Sequence, residues 1–219
     1  MKCDPETMLL YAVTDRTWTG KQTLYQQVEC ALKGGVTCVQ LREKNLDEAA
    51  FLSEAREIGR LCRAYGVPFI VNDSVEIALA CGADGVHVGQ SDKPAEQVRR
   101  LVGGRLMIGV SARTVEAALR AQRSGADYLG VGAVFGTSTK ADAKAVSRQT
   151  LKEICSAVDI PVVAIGGINR DNMPDLSGTG INGVALVSAI FAAADIEDRC
   201  RELRKLARGV VDSVKGAKQ

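Results

Sequence analysis

The sequence is poor in aromatic residues and in net charge, and it lacks a long apolar run. Aromatic residues make up 4% of the 219 positions, although 46% are hydrophobic, so the core must consist mainly of Val, Ile, Leu and Ala. A net charge of +2 is too balanced to indicate nucleic-acid binding. No apolar run is long enough to span a membrane, and the first residues, MKCDPETM, contain no apolar signal segment.

Paired cysteines are also lacking. The seven cysteines are scattered, their number is odd, and no Cys-x-x-Cys motif occurs. This usage is typical of reduced, mostly buried thiols. We therefore predict a cytoplasmic protein with neither a nucleic acid nor a membrane as partner. The sequence leaves the oligomeric state open, a homo-oligomer included.

One local pattern occurs four times. It reads GVTCVQL from Gly35, GADGVHV from Gly82, GADYLGV from Gly125 and GINGVAL from Gly180. Each copy has Gly, an apolar residue, then Thr, Asp or Asn, and then a short alternating apolar run. Glycine supplies the left-handed conformation that ends a helix, and the run that follows is typical of a strand entering the core. The pattern predicts a helix-to-strand transition at all four places.

The rest of the chain extends this pattern into a regular alternation of strands and helices. The expected strands lie near 8–14, 38–42, 68–72, 85–89, 106–110, 128–134, 161–165 and 183–187. The expected helices lie near 21–33, 47–65, 74–81, 94–102, 114–124, 147–158, 169–177 and 195–214. Strict alternation predicts a parallel sheet, and eight units favour a closed (β/α)8 TIM barrel over an open doubly wound sheet. No linker-like stretch interrupts the pattern, so we predict an α/β fold with one domain over residues 1–219.

Active sites of such barrels lie at the C-terminal ends of the strands. Polar residues or glycines follow at least seven of the eight expected strands. In chain order they are Gln40, Arg42 and Lys44; Asn72 and Asp73; Asp92; Ser111; Thr137, Ser138, Thr139 and Lys140; Gly166 and Gly167; and Val187 and Ser188. Each residue alone is a weak signal, but their joint placement on one rim predicts a binding site.

The acidic members of this rim, Asp73 and Asp92, follow neighbouring strands. Two carboxylates about 4 Å apart repel by roughly 4 kcal/mol at an effective dielectric constant near 20, so such a pair needs a proton, a basic neighbour or a metal. Carboxylates near phosphate suit Mg²⁺. Either aspartate could instead cap the helix that follows it. The spacing alone leaves metal binding and capping equally supported.

The basic members, Arg42, Lys44 and Lys140, could together hold a diphosphate. The Gly166-Gly167 pair could form a tight turn or bind phosphate, and its position in the barrel favours phosphate. His87, which is the only histidine, lies inside a strand, so we interpret it as a packed, hydrogen-bonded core residue outside the site. Without a second histidine or a reactive cysteine partner, acyl transfer is not indicated.

Eight segments of the chain resemble motifs of the thiamine-phosphate synthase family, in the order in which that family has them. They are YAVTD, VQLREK, FIVNDS, GVHVGQSD, GVSART, GTSTK, AIGGI and VSAI. The resemblance implies a (β/α)8 barrel that joins 4-amino-2-methyl-5-hydroxymethylpyrimidine diphosphate, below called hydroxymethylpyrimidine diphosphate, to 4-methyl-5-(2-phosphoethyl)thiazole, below called thiazole phosphate. The thiazole can also carry a carboxyl group, and the reaction releases diphosphate. It implies a transferase of thiamine biosynthesis that uses Mg²⁺, with small-molecule substrates as its partners.

The resemblance also implies roles for individual residues. The implied pyrimidine diphosphate ligands are Gln40, Arg42, Lys44, Asn72, Ser111 and Lys140. Leu41 and Glu43 are further implied substrate-binding residues, although Glu43 is expected to point elsewhere and to pair structurally. The implied thiazole phosphate ligands are Thr137, Ser138, Thr139, Gly167, Val187 and Ser188. Asp73 and Asp92 are the implied Mg²⁺ ligands, and the implied catalytic residues are Arg42, Lys44, Ser111 and Lys140. Alternative interpretations are a thiazole tautomerase-like relative, a non-catalytic phosphate-binding barrel and a phosphosugar isomerase.

Overall fold

A computed structural model describes residues 3–20, 22–90, 92–136 and 145–213. Its strands are β1 (Leu10–Val13), β2 (Cys38–Leu41), β3 (Phe69–Asn72), β4 (Gly85–Val88), β5 (Met107–Ala112), β6 (Tyr128–Val131), β7 (Val162–Ile165) and β8 (Gly183–Leu186). Its α-helices are α1 (Leu24–Lys33), α2 (Glu48–Ala64), α3 (Val75–Cys81), α4 (Ala95–Val102), α5 (Val115–Arg123), α6 (Arg148–Ala157), α7 (Ser188–Phe191) and α8 (Ile196–Asp212). Each strand pairs in parallel with the next, and β8 pairs with β1, which confirms the predicted closed barrel.

The segment after β7 differs from the prediction. The helix expected near 169–177 is wrong, because the structure has only a 3-10 helix at Met173–Leu176. The Asn169 side chain accepts hydrogen bonds from the N–H groups of Asp171 and Asn172, and Asn172 accepts one from the N–H of Asn169. Such local side-chain bonds compete with the helical pattern. A short helix that was not predicted, α7, follows β8 directly.

The four copies of the repeated pattern share one structural role. Their glycines, Gly35, Gly82, Gly125 and Gly180, all have positive φ angles, as predicted for helix ends. The third residue of each copy is Thr37, Asp84, Asp127 or Asn182. Its side chain accepts a hydrogen bond of 2.8 to 2.9 Å from an N–H near the start of the preceding strand, and its own N–H donates to the carbonyl of that same strand residue. We call these four residues the strand clamps. Each one gives hydrogen-bond partners to an N–H group and a carbonyl at a strand end that would otherwise lack them.

Side chains alternate along each strand between two cores. The outer core, between barrel and helices, includes Leu10, Val39, Leu41, Val71 and Val86. The inner core fills the barrel with Tyr11, Cys38, Ile70, Met107, Tyr128 and Val163, and Met8 closes the N-terminal end. Because alternation has a period of two, the residues two positions beyond the inner core point toward the C-terminal mouth.

The compartment and membrane predictions can be compared with two observations. All seven cysteines are free thiols, and five of them are buried. Within the described ranges, no helix has both the length and the apolar composition needed to cross a membrane.

Candidate active site

Five side chains form one continuous series of hydrogen bonds through the barrel. Gln40 Nε2 donates to the Tyr11 hydroxyl at 2.8 Å, and the Tyr11 and Tyr128 hydroxyl oxygens lie 2.8 Å apart. The Tyr128 oxygen lies 3.1 Å from His87 Nδ1, and His87 Nε2 lies 3.0 Å from Ser111 Oγ. We call these five residues the polar chain. It connects two of the predicted site residues, Gln40 on β2 and Ser111 on β5.

The interior of the polar chain is deeply buried. Burial raises the pKa of Tyr11 and of Tyr128 well above the ordinary value of 10. Both phenols therefore keep their protons at neutral pH, and each can donate one hydrogen bond while accepting another. The prediction that His87 is a hydrogen-bonded residue inside the barrel is confirmed, but the structure also brings it into contact with Ser111, a candidate site residue.

Two glycines on neighbouring strands make room for the His87 and Tyr128 rings. A Cβ atom on Gly109 would lie 2.3 Å from the Tyr128 hydroxyl oxygen and 2.4 Å from His87 Nδ1. A Cβ atom on Gly130 would lie 3.0 Å from His87 Cε1. A glycine inside a strand often marks such a close approach, so these two glycines were the sequence signal for the polar chain.

Arg42 is held at the mouth by the segment that follows β1. Its Nη1 lies 3.3 Å from Asp15 Oδ2, and its backbone N–H donates to Thr14 Oγ1 at 3.0 Å. The Arg42 side chain is 22% exposed, so it is partly desolvated but still reachable. The guanidinium has five N–H donors, and we find no other partner for it among the described residues. Thr14 and Asp15 follow β1, the one strand whose exit held no predicted site residue, so their contacts with Arg42 are new.

Glu43 takes part in a buried charge cluster behind the mouth. Arg16 donates to Glu43 at 2.8 Å and to Glu54 at 2.6 Å. The Glu43 side chain is 2% exposed, and one oxygen of each carboxylate is buried with no hydrogen-bond donor among the residues that the structure describes. Burial raises the pKa of Glu54 to about 7, and the neighbouring Glu43 carboxylate adds to the increase. The structural pairing expected for Glu43 is confirmed, because its side chain contacts Arg16 and lies beside Glu54 of α2.

Two further members of the β2 exit have different surroundings. The Leu41 side chain is fully buried in the outer core, so only its backbone could contact a ligand in the mouth. Lys44 is exposed, and its ammonium has no carboxylate partner within the described part of the chain.

Four predicted site residues of the segment after β6, namely Thr137, Ser138, Thr139 and Lys140, lie outside the described residues.

Neither candidate metal ligand caps a helix, so the capping alternative is wrong for both. Ser74, not Asp73, caps α3 by accepting from the N–H of Ile77. Among the described residues no side chain caps α4, and Asp92 Oδ2 instead accepts from the N–H of Gly89 at 2.6 Å. Asp73 is exposed, has a positive φ of 64°, and donates its N–H to the carbonyl of His87 on β4. Across the described ranges no group of three or more His, Cys, Asp or Glu residues could hold a metal, so a metal bound by Asp73 and Asp92 would take its other ligands from water or substrate oxygen atoms.

The ends of β7 and β8 form the opposite part of the mouth. Gly166 and Gly167 have φ angles of 99° and 64°, and a Cβ atom on Gly167 would lie 2.2 Å from the Gly136 carbonyl oxygen. The glycine pair is thus required for a tight turn beneath the segment that leaves β6, whatever else it binds. No acceptor for the Gly167 N–H is found among the described residues. Ser188 is exposed at the first position of α7, directly after Val187.

Comparison with known proteins gives consistent results. The chain matches the family model described as thiamine monophosphate synthase over residues 10–190. Thiamine-phosphate synthase of Ruminiclostridium cellulolyticum is 52% identical over 197 residues, which are 90% of this chain and 94% of the relative. Thiamine-phosphate synthase of Clostridium tetani is 50% identical over 194 residues, which are 89% and 93% of the two chains. The solved structure of thiamine phosphate pyrophosphorylase from Pyrococcus furiosus has a TM-score of 0.88 at 39% identity, covering 94% of this chain and 98% of that one.

Proposed function

From the premise that this chain belongs to the thiamine monophosphate synthase family and is a transferase of thiamine biosynthesis that forms thiamine phosphate, we propose that the reaction takes place in the C-terminal mouth of the barrel. The proposed substrates are hydroxymethylpyrimidine diphosphate and thiazole phosphate. The bond between the pyrimidine methylene carbon and the diphosphate oxygen breaks, and the oxygen keeps the electron pair. The lone pair of the thiazole nitrogen forms the new C–N bond. That nitrogen carries no proton, so the reaction needs no general base.

The chief demand of this reaction is to neutralise the negative charge that grows on the departing diphosphate. Arg42 and Lys44 supply positive charge from the β2 exit, and Lys140 is proposed to supply more from beyond β6. Asp15 holds the Arg42 guanidinium at one nitrogen, which leaves the other donors for phosphate oxygens. Charge-assisted hydrogen bonds contribute about 1.5–3 kcal/mol each, so three such groups can hold a diphosphate.

Asp73 and Asp92 fit a role as Mg²⁺ ligands. They follow the adjacent strands β3 and β4, neither is used as a helix cap, and both offer hard oxygen atoms. Two carboxylates are few for a metal, but Mg²⁺ commonly completes its coordination with water and substrate phosphate. When bound, the ion would stabilise negative charge on the diphosphate.

The other half of the mouth is proposed to bind the thiazole phosphate. The Gly167 backbone, Val187 and Ser188 border this region, and Thr137, Ser138 and Thr139 are proposed to complete it. The exposed Ser188 and the N–H of Gly167 offer hydrogen-bond donors for phosphate oxygens. The two substrates would then meet with the pyrimidine methylene carbon facing the thiazole nitrogen. A mouth from which water is excluded would protect a cationic pyrimidine from hydrolysis.

The observation that carries the proposal is the assembly of four residues at one end of the barrel: Gln40 on β2, Arg42 just after β2, Asp73 just after β3, and Ser111 on β5. The test is a coupling assay with both substrates, run with and without chelator. Asp73→Ala should fold normally and lose Mg²⁺-dependent turnover; full turnover after chelation would contradict the metal assignment.

The basic residues have their own test. Lys140→Ala should weaken diphosphate binding far more than Lys205→Ala, which changes an exposed lysine of α8. Equal losses in the two variants would contradict the proposed site. The free cysteines support a cytoplasmic location as part of the same proposal.

A further inference from the structure

We propose that the polar chain is a positioning device, in which the two buried tyrosines and His87 make Gln40 a hydrogen-bond acceptor and Ser111 a hydrogen-bond donor toward the aminopyrimidine ring. The inference rests on the proposed function, because it concerns the pyrimidine substrate of the same site. It adds three positioning residues, none of which was a candidate from the sequence.

The direction of the hydrogen bonds follows from the orientation of the Gln40 amide. Its nitrogen faces the Tyr11 oxygen, so Tyr11 accepts there and must donate its own proton elsewhere. The available acceptors are the Tyr128 oxygen at 2.8 Å and the nearby sulfur of Cys38. Sulfur is a weak acceptor, so the Tyr11 proton goes to Tyr128.

The hydrogen bonds at the far end of the polar chain run in the same direction. Tyr128 accepts from Tyr11 and therefore donates to His87 Nδ1. An imidazole that accepts at Nδ1 carries its proton on Nε2, and this N–H donates to Ser111 Oγ. The Ser111 oxygen has then received a hydrogen bond, and its own proton is available to the mouth. All the protons along the chain point from β2 toward β5.

The two ends of the chain are therefore different. Gln40 gives one of its two amide N–H groups to Tyr11, and its carbonyl oxygen stays available as an acceptor. Ser111 presents its hydroxyl proton, a donor. An aminopyrimidine has a matching pair of groups, namely an amino group that donates and ring nitrogens that accept. A hydroxypyrimidine in its keto form would place an acceptor where the amino group is, and it would face the Gln40 oxygen unfavourably. The chain thus selects the amino-substituted ring.

The proposal can first be tested without any activity measurement. Because His87 is the only histidine, untagged protein labelled with 15N-histidine has a single imidazole, and its nitrogen chemical shifts report the tautomer. We expect a protonated Nε2 and an unprotonated Nδ1 in the free protein at neutral pH. A proton on Nδ1 would reverse every hydrogen bond in the chain and would overturn the proposal.

A second test breaks the chain at its centre. Tyr128→Phe removes one hydroxyl and keeps the ring, so kcat/KM for the pyrimidine diphosphate should fall about tenfold or more, as for a lost buried hydrogen bond. KM for the thiazole phosphate should not change, and the imidazole shifts should move toward a mixture of tautomers. Tyr65→Phe, which changes an exposed tyrosine at the end of α2, is the matched control.

Substitutions of His87 separate positioning from packing. A glutamine side chain can accept from Tyr128 with its oxygen and donate to Ser111 with its nitrogen, whereas leucine can do neither. His87→Gln should therefore retain more kcat/KM for the pyrimidine diphosphate than His87→Leu, with the two variants compared at equal folded fraction. Equal losses in the two variants, or a loss that affects both substrates alike, would refute a positioning role. Turnover by the unchanged protein tests the proposed function separately.

Discussion

The buried pair of carboxylates behind β2 should make the stability of this protein depend on pH. Glu43 and Glu54 share one cation, Arg16, and each has one buried oxygen without a hydrogen-bond donor. A proton on Glu54 would let one carboxyl donate to the other, which satisfies both oxygens. Glu54→Gln places an amide there instead, and its N–H group can donate to Glu43 at every pH while its oxygen accepts from Arg16.

The size of the effect follows from the pKa of Glu54, which burial raises from its ordinary value of 4.5 to about 7. Between these two pH values the folded protein holds a proton that the unfolded chain has released. The free energy of unfolding therefore falls as the pH rises through this window, and it recovers as the pH is lowered. Across the full window the free energy of unfolding falls by about 3 kcal/mol at most. The Glu54 side chain is 16% exposed, so solvent screening reduces this value only in part.

The measurement is urea unfolding of both proteins at pH 5 and pH 8. Groups outside this cluster titrate equally in the two proteins, so the difference between their pH dependences isolates the Glu43–Glu54 pair. Between pH 5 and pH 8 we expect the free energy of unfolding of the variant to change less than that of the unchanged protein, by about 1–3 kcal/mol. The variant should gain most stability over the unchanged protein at pH 8. Glu116→Gln, which changes an 85% exposed side chain on α5, should follow the unchanged protein. Parallel pH curves for the unchanged protein and Glu54→Gln would refute the reasoning.

Three further predictions follow from other parts of the structure. Gly109→Ala should lower the free energy of unfolding by about 1–3 kcal/mol in urea and disturb the polar chain, because the new Cβ atom would overlap two rings. Gly104→Ala is the control, since a Cβ atom there has open space and should be neutral. Similar effects of the two substitutions would contradict the close packing around Gly109. Asp84→Ala should cost about 1–3 kcal/mol of unfolding free energy, since it removes the acceptor for the first N–H of β3, and an unchanged urea midpoint would show that water replaces it. Arg42→Lys should raise KM for the diphosphate substrate about tenfold, because an ammonium cannot hold Asp15 and phosphate in one fixed plane, and an unchanged KM would remove Arg42 from the site.

The fold was largely predictable because its signals are local. The four glycine-led repeats identify places where a helix ends and a strand begins, and all eight expected strands are found. The helix expected after β7 was wrong for a reason that is also local. Asn169 and Asn172 bind backbone N–H groups with their side chains, and hydrophobic periodicity does not report this competition.

The site was predictable only where it depends on position along the chain. Residues that follow a strand can be assigned to the mouth, and Gln40, Arg42 and Ser111 lie there. Tyr11 and Tyr128 lie inside strands, where tyrosine is ordinary, and their contact joins residues separated by 117 positions. No spacing rule reveals such a contact. The mouth also depends on charge pairing between loops, as between Asp15 and Arg42, which needs three-dimensional coordinates.

The strand clamps give the barrel a fourfold pattern at its N-terminal end. Thr37, Asp84, Asp127 and Asn182 each directly precede an even-numbered strand, and each binds both the N–H and the carbonyl of one residue in the odd-numbered strand before it. The side-chain bonds therefore lie at every second strand boundary, once in each quarter of the molecule, although the eight strands are paired in one uniform parallel order.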